Sequence, residues 1–122
     1  MSIYVYITRR RNPIDDEGPT ISEVEWLSVV SNDPTFRNAS VEEIGSGRPS
    51  KSSYSIWLEH PEGLDAWFIW TNGQIDIRNP DEPLIAKAMA LASKIDANVV
   101  SEMGELFNED GTHKGFVDGE PW

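Results

Sequence analysis

Apolar and polar positions alternate along several stretches of the chain and recur at helical spacing along others. Ile3, Val5 and Ile7 alternate with Tyr4, Tyr6 and Thr8, the period-two pattern of a strand rich in β-branched and aromatic residues. Tyr54, Ile56 and Leu58 alternate with Ser55, Trp57 and Glu59, which predicts another. Residues 66–78 read Ala-Trp-Phe-Ile-Trp-Thr, then Asn72-Gly73, then Gln-Ile-Asp-Ile-Arg. A two-residue type I′ turn needs positive φ at both central positions, and Asn-Gly supplies it, so this stretch predicts a hairpin. The turn sets Thr71 opposite Gln74, Trp70 opposite Ile75, Ile69 opposite Asp76, Phe68 opposite Ile77 and Trp67 opposite Arg78. Opposite residues share a face. Phe68, Trp70, Ile75 and Ile77 therefore form the expected core face. Trp67, Ile69, Asp76 and Arg78 form the other, with Arg78 placed to stack on Trp67.

Two stretches are helical. Ser22 and Glu25 match a capping box, and Ile21 with Trp26 has the spacing of a hydrophobic staple. Val24, Leu27 and Val30 are the expected buried stripe, ended by Asn32-Asp33-Pro34. Asp81 is the N-cap of the second helix, with Pro83 in its first turn. Its stripe is Leu84, Ala88, Leu91 and Ile95, with Lys87 and Lys94 off it. Between the helices, Val41 and Ile44 mark a short strand and Gly45 to Ser53 a loop. Asn98 to Ser101 is a final short strand, which Met103 to Phe107 joins or docks against. The order is β-α-β-β-β-α-β. The expected fold is α+β: one mostly antiparallel sheet of four or five strands, with two helices packed on one face. Residues 1–107 form a single domain. Residues 108–122 form an acidic, Gly-rich tail, ordered only where Phe116 or Trp122 docks.

Composition narrows the function. The chain has 122 residues and no cysteine, so it has length for one core and no thiolate or disulfide chemistry. The N-terminal apolar run precedes Arg9-Arg10-Arg11, the reverse of a signal peptide, and no stretch is long enough for a membrane span. A cytoplasmic protein away from membranes is expected. The net charge is -11, which disfavours nucleic acid and favours a basic protein partner. From Asp96 onward, Glu102, Glu105, Glu109, Asp110, Asp118 and Glu120 add to the acid count against Lys114 alone.

Catalytic and metal chemistry find little support. Arg9-Arg10-Arg11 reads as a strand end compensated locally by Asp15, Asp16 and Glu17. That acidic triplet lacks the further oxygens a hard cation needs. His60, before a proline, reads as a turn residue. His113 has no second histidine at metal-ligand spacing. No nucleophile elbow surrounds a serine, and Gly45-Ser46-Gly47 lacks the context and lysine of a phosphate loop. The expectation is a non-enzyme with no cofactor and no metal.

The aromatic residues say more. The chain has five tryptophans. The alternation puts Trp57 and Trp67 on the face away from the helices, beside Tyr4 and Tyr6; exposed aromatic patches mark interfaces, and the alternative is that a loop or the C-terminal segment covers them. Trp67-Phe68-Ile69-Trp70, Asn72-Gly73-Gln74-Ile75, Asn79-Pro80-Asp81, Ile85-Ala86, Val99-Val100 and Gly104-Glu105-Leu106-Phe107 resemble small acidic bacterial immunity proteins. Those proteins accompany secreted polymorphic toxins of contact-dependent or type VI secretion systems. The resemblance spans residues 1–8 and 54–107, and the chain after Asp110 goes beyond it. It implies an intracellular non-enzyme that binds and blocks a cognate toxin. The expected partner-binding residues are Tyr4, Tyr6, Trp57, Trp67, Arg78, Glu102, Glu105, Glu109 and Asp110. A small enzyme or ligand-binding protein using the aromatic face, and a homodimer or larger homo-oligomer joined through it, are the alternatives.

Overall fold

The structure, a computed structural model, describes residues 3–15, 17–40, 44, 45 and 52–122. They form β1 (Tyr4–Thr8), α1 (Glu23–Ser31), β2 (Phe36–Asn38), β3 (Ser53–Trp57), β4 (Ala66–Thr71), β5 (Gln74–Arg78), α2 (Glu82–Lys94), β6 (Asn98–Ser101), β7 (Glu105–Phe107) and β8 (His113–Phe116). The strands make one sheet in the order β2-β3-β4-β5-β1-β6-β7-β8, and every neighbouring pair is antiparallel. The α+β class with one antiparallel sheet and two helices is as expected. The strand count is not: the sheet has eight strands rather than four or five. The additional ones, β2, β7 and β8, are three or four residues long, too short to show a period. They exist because neighbouring backbone accepts them. β8 pairs with β7, so the sheet continues past residue 107. Trp122 also docks, donating its backbone N–H to the Met103 carbonyl at 3.0 Å. Val41 and residues 46–51 lie outside the described residues; Ser53 opens β3 rather than closing a loop. No helix of the described residues is long and apolar enough to cross a membrane.

Both helices pack on one face. Trp26 and Val30 of α1 join Leu84, Ala88 and Leu91 of α2 in one core with Val5, Ile7, Phe68, Ile75 and Ile77. The capping box forms as the sequence predicts: Ser22 Oγ accepts from the Glu25 N–H and Glu25 Oε1 from the Ser22 N–H, both at 3.1 Å. The stripe of α1 differs. Val24 is 77% exposed and Leu27 is also at the surface. The large indole of Trp26 decides the rotation, stacking on Phe68 at 6.1 Å with Phe36 edge-on at 6.4 Å. Val30, four residues on, follows it inward. The N-cap of α2 is Asp81, whose Oδ1 accepts from the Leu84 N–H at 3.1 Å. Lys87 of α2 turns toward the β2 edge. Its Nζ bonds Asp33 Oδ2 at 2.7 Å and lies 5.6 Å from the Phe36 ring centre. Burial works to raise the Asp33 pKa, but the bonds from Lys87 and Thr35 outweigh it and hold it at about 2.

The Asn72-Gly73 turn forms with φ of 52° and 78°, and the pairs Thr71↔Gln74, Trp70↔Ile75 and Ile69↔Asp76 follow. The turn is also an anchor. Arg10, 4% exposed, donates to the Asn72 carbonyl at 2.8 Å, and the Ile21 N–H donates to the Gly73 carbonyl at 2.7 Å. The arginine triplet thus finds its bonding partners at long range rather than in Asp15 or Glu17. Arg9 makes a two-pronged bond to Glu25, at 3.0 and 2.5 Å, and Arg11 pairs with Asp118. The hydrogen bond from Arg9 is the main reason the Glu25 pKa falls to about 2. Asp16 lies outside the described residues.

Trp57 is a correction. The β3–β4 register sets Ser55 opposite Phe68 and Trp57 opposite Ala66. Phe68 and Ala66 face the helices, so Trp57 does too, at 8% exposure. Strand alternation leaves two parities open. Packing selects the one that puts small Ser55 and Ala66 against large Phe68 and Trp57, and turns Tyr54 and Ile56 to the opposite face.

The core position predicts that Trp57→Ala lowers unfolding free energy by about 3–5 kcal/mol, while Trp67→Ala, at a half-buried site, costs clearly less. A Cβ on Gly73 would stand 2.6 Å from the Thr20 side chain at φ +78°. Gly73→Ala should therefore cost about 2–4 kcal/mol, from the left-handed backbone and the collision together. Urea unfolding of these variants measures each value.

Candidate aromatic face and adjoining recess

The sheet face away from the helices carries a cross-strand row. Pairings set Tyr54 beside Ile69, Ile69 beside Asp76, Asp76 beside Tyr6, and Tyr6 beside Val100. Apolar or aromatic side chains flank one carboxylate at the middle of the sheet. Next to this row, Ile56 pairs with Trp67 and Tyr4 with Arg78. The rings pack among themselves: Tyr4 stacks on Tyr6 at 6.2 Å, and Tyr54 meets Trp67 edge-on at 6.4 Å. Tyr4, Tyr6, Tyr54, Trp67 and Ile69 are half-buried.

Asp76 is the electrostatic anomaly of this face. Its Oδ1 is buried and has no hydrogen-bond partner. Burial alone pushes its pKa from 3.8 up to about 6, because an ionised carboxylate loses hydration there and gains no donor. The effect spreads to Tyr6, whose pKa rises to about 12, first through burial and then through the charges of Asp76 and Glu102. Glu102 lies just past β6, where its Oε1 accepts from the Tyr4 N–H at 3.2 Å.

Beyond Ile69↔Asp76 the β4–β5 ladder stops. β4 goes on paired with β3, and β5 goes on paired with β1. A recess of about 440 Å³ lies where they part, and its lining combines both sides of the sheet. Tyr54, Trp67, Ile69 and Arg78 come from the aromatic face; Ala66 and Leu84 come from the helix side. Ile44, expected in a strand, is instead helical, its N–H donating to the Ser40 carbonyl at 3.1 Å, and it also lines the recess. Trp67 and Arg78 both stand on its wall.

On the helix side, His60 is more than a turn residue. Its ring is 6% exposed and edge-on to Trp57 at 6.0 Å. Nδ1 accepts from the Glu62 N–H at 3.1 Å, which leaves the ring proton on Nε2, 2.6 Å from Asp81 Oδ2. This assignment follows from the hydrogen bonds. One carboxylate thereby caps α2 and holds the 60–63 turn. His60, Glu62 and Asp81 bring ligand atoms within 4.8 Å of one another. Both His60 nitrogens are already engaged, so a cation would have to displace the Asp81 bond and its proton. The donor set fits a helix-capping clamp better than a metal site.

The expected partner-binding residues therefore separate. Tyr4, Tyr6, Trp67 and Arg78 share the sheet face opposite α1 and α2, with Glu102 at its margin. Trp57 is in the core. Glu105 lies on the opposite side of β7, its Oε2 2.5 Å from His113 Nδ1. Glu109 and Asp110 are exposed in the β7–β8 turn. Hydrogen bonds from Thr112 hold the Asp110 pKa below the usual carboxylate range. Tyr54 and Asp76 were missed as site residues. The hairpin register already placed Asp76 on this face, but its isolation from any donor is a tertiary property. Comparison with protein-family models, with curated proteins and with solved structures yields no match to the chain.

Asp76 carries a stability prediction with a definite sign. An acid with a raised folded pKa leaves the native state unpenalised below the unfolded value of 3.8, and stability falls as pH rises toward about 6. Discounted for partial solvent access, the penalty above that window is about 1–2 kcal/mol. Asp76→Asn should recover about that much at pH 7 and leave stability unchanged at pH 3.5. Unfolding at the two pH values shows whether the gain is confined to the higher one.

Proposed function

We propose that the chain is a non-enzymatic binding protein that neutralises a basic, secreted bacterial toxin in the cytoplasm through the sheet face opposite α1 and α2. The observation that carries this reading is the aromatic row itself: half-buried rings around a carboxylate whose buried Oδ1 has no hydrogen-bond donor. Interfaces are centred on such aromatic anchors, and buried acids left unpaired within a fold are costly. The resemblance to toxin-associated immunity proteins and the net charge of -11 support the same partner class. Glu109 and Asp110, exposed and away from the aromatic face, are placed to steer a basic partner over distance rather than to anchor it.

The recess of about 440 Å³ favours a second reading, a small-ligand binding protein, since ligand cavities start at a comparable size. In that case a ligand would protect Trp67 without any protein partner.

Under this reading a secreted effector is encoded beside the gene, and co-expression of the chain with it should restore growth of bacteria that the effector otherwise kills. Trp67→Ala should weaken the purified complex at least about tenfold and remove protection at matched expression. Undiminished killing by the effector in the presence of the native chain would end the proposal. The kinetic counterpart is Glu109→Lys, which should slow association, flatten its dependence on salt and leave dissociation nearly unchanged. Binding kinetics at several ionic strengths separate these effects.

A further inference from the structure

We infer that Asp76 is the receptor for one cationic side chain, an arginine or lysine that a basic protein partner presents to the aromatic face. The inference rests on the reading of the chain as a binder of a basic protein and adds the chemistry of the contact. Asp76 Oδ1 is buried without a hydrogen bond, and buried polar atoms in folded chains are rarely left so. Neither of its cross-strand neighbours, Ile69 and Tyr6, donates to that atom. Arg78, two residues along β5, stands opposite Tyr4 and on the recess wall.

The surroundings select the kind of cation. A hard metal ion takes several oxygens, and Asp76 offers a single carboxylate among rings. An organic cation takes a carboxylate on one side and aromatic faces around it. Tyr6 lies directly beside Asp76, with Tyr4 stacked on Tyr6. A guanidinium suits this geometry best, since it is planar, weakly hydrated and able to stack while one edge bonds the carboxylate. The charge balance agrees, with 21 acids against 10 bases in the chain.

Among the described residues, the charged and titratable groups around Asp76 are Tyr4 and Tyr6 on β1, Arg78 on β5, Tyr54 on β3 and Glu102 past β6. Of these, Tyr6 titrates only far above neutrality. A cation on Asp76 favours its ionised form and must lower its titration midpoint, and its binding must weaken as acid protonates the carboxyl.

The test uses the full chain and two capped tripeptides, acetyl-Gly-Arg-Gly-amide and acetyl-Gly-Leu-Gly-amide, each at saturating or highest soluble concentration. Carboxyl carbon NMR follows Asp76 against pH, and proton NMR follows the rings of Tyr6 and Trp67. With the arginine peptide the Asp76 midpoint should fall by about one pH unit or more, a tenfold preference for the ionised carboxyl. The ring signals should move with it, and the leucine peptide should do neither. Asp76→Asn, shown folded by circular dichroism, should lose the ring response. Equal midpoints with both peptides, or a ring response that survives in Asp76→Asn, would overturn the inference. Protection from the effector reports separately. If Asp76→Asn still protects and the arginine peptide leaves the midpoint unmoved, the binding reading stands and this contact falls. If the midpoint moves as expected but the native chain gives no protection, the cation receptor stands and the toxin reading falls.

Discussion

The register of the β4–β5 hairpin is the constraint from which the rest of the molecule follows, and Asn72-Gly73 imposes it. Positive φ at both residues permits a two-residue turn, and a two-residue turn leaves no freedom in which residues face each other. Ile75 and Ile77 are committed to the helix side, where they meet Val5 and Ile7 through the β1–β5 pairing. The same step commits Asp76 to the other side. The turn is fixed in turn by the segment before α1. Arg10 and Ile21 both bond its carbonyls, and Thr20 fills the space where a Gly73 side chain would stand. Local turn chemistry and long-range packing therefore state the same register twice, which is the consistency expected of a well-specified fold.

That double statement explains which parts of the fold were legible in the sequence. The hairpin, the capping box at Ser22 and Glu25, the Asp81 cap and the Leu84 to Ile95 stripe each rest on contacts within a few residues. The misjudged elements depend on distant partners. Alternation in Tyr54 to Leu58 is compatible with either face, and only the pairing with Ala66 and Phe68 buries Trp57. Val24 and Leu27 match a helical period as well as Trp26 and Val30 do, until the Phe68 ring supplies a stacking surface for the indole. Arg9 and Arg11 find acids 16 and 107 residues away, beyond any reading of local charge. β2, β7 and β8 carry too few residues for a period and are made by the edges they extend.

The candidate site was legible in part for the same reason. Tyr4, Tyr6, Trp67 and Arg78 come together because strand parity is a two-residue rule once the central pairings are known. Of the expected acids, Glu102 reaches the margin of that face, and the other three do not join it. Glu105 is spent on His113, and Glu109 and Asp110 sit at a turn, so a run of negative charge in sequence becomes separate local environments in space. The carboxylate that does enter the face is Asp76, which lies in no acidic run and drew no notice by composition.

Stability and surface chemistry pull against each other at that residue. The register that buries Ile75 and Ile77 is worth several side chains of apolar burial, on the order of 1.5–3 kcal/mol each. It leaves whatever occupies position 76 in a row between Ile69 and Tyr6. A threonine or valine there would suit a strand flanked by apolar neighbours, and neither would bring a charge that needs a donor. The carboxylate instead raises its own pKa and that of Tyr6 and leaves Oδ1 without a bond. The fold can carry this because the hairpin is over-determined elsewhere, at the turn and in the core. An acid tolerated at a net cost, on the sheet face opposite α1 and α2, is the point at which the demands of folding alone stop explaining the sequence.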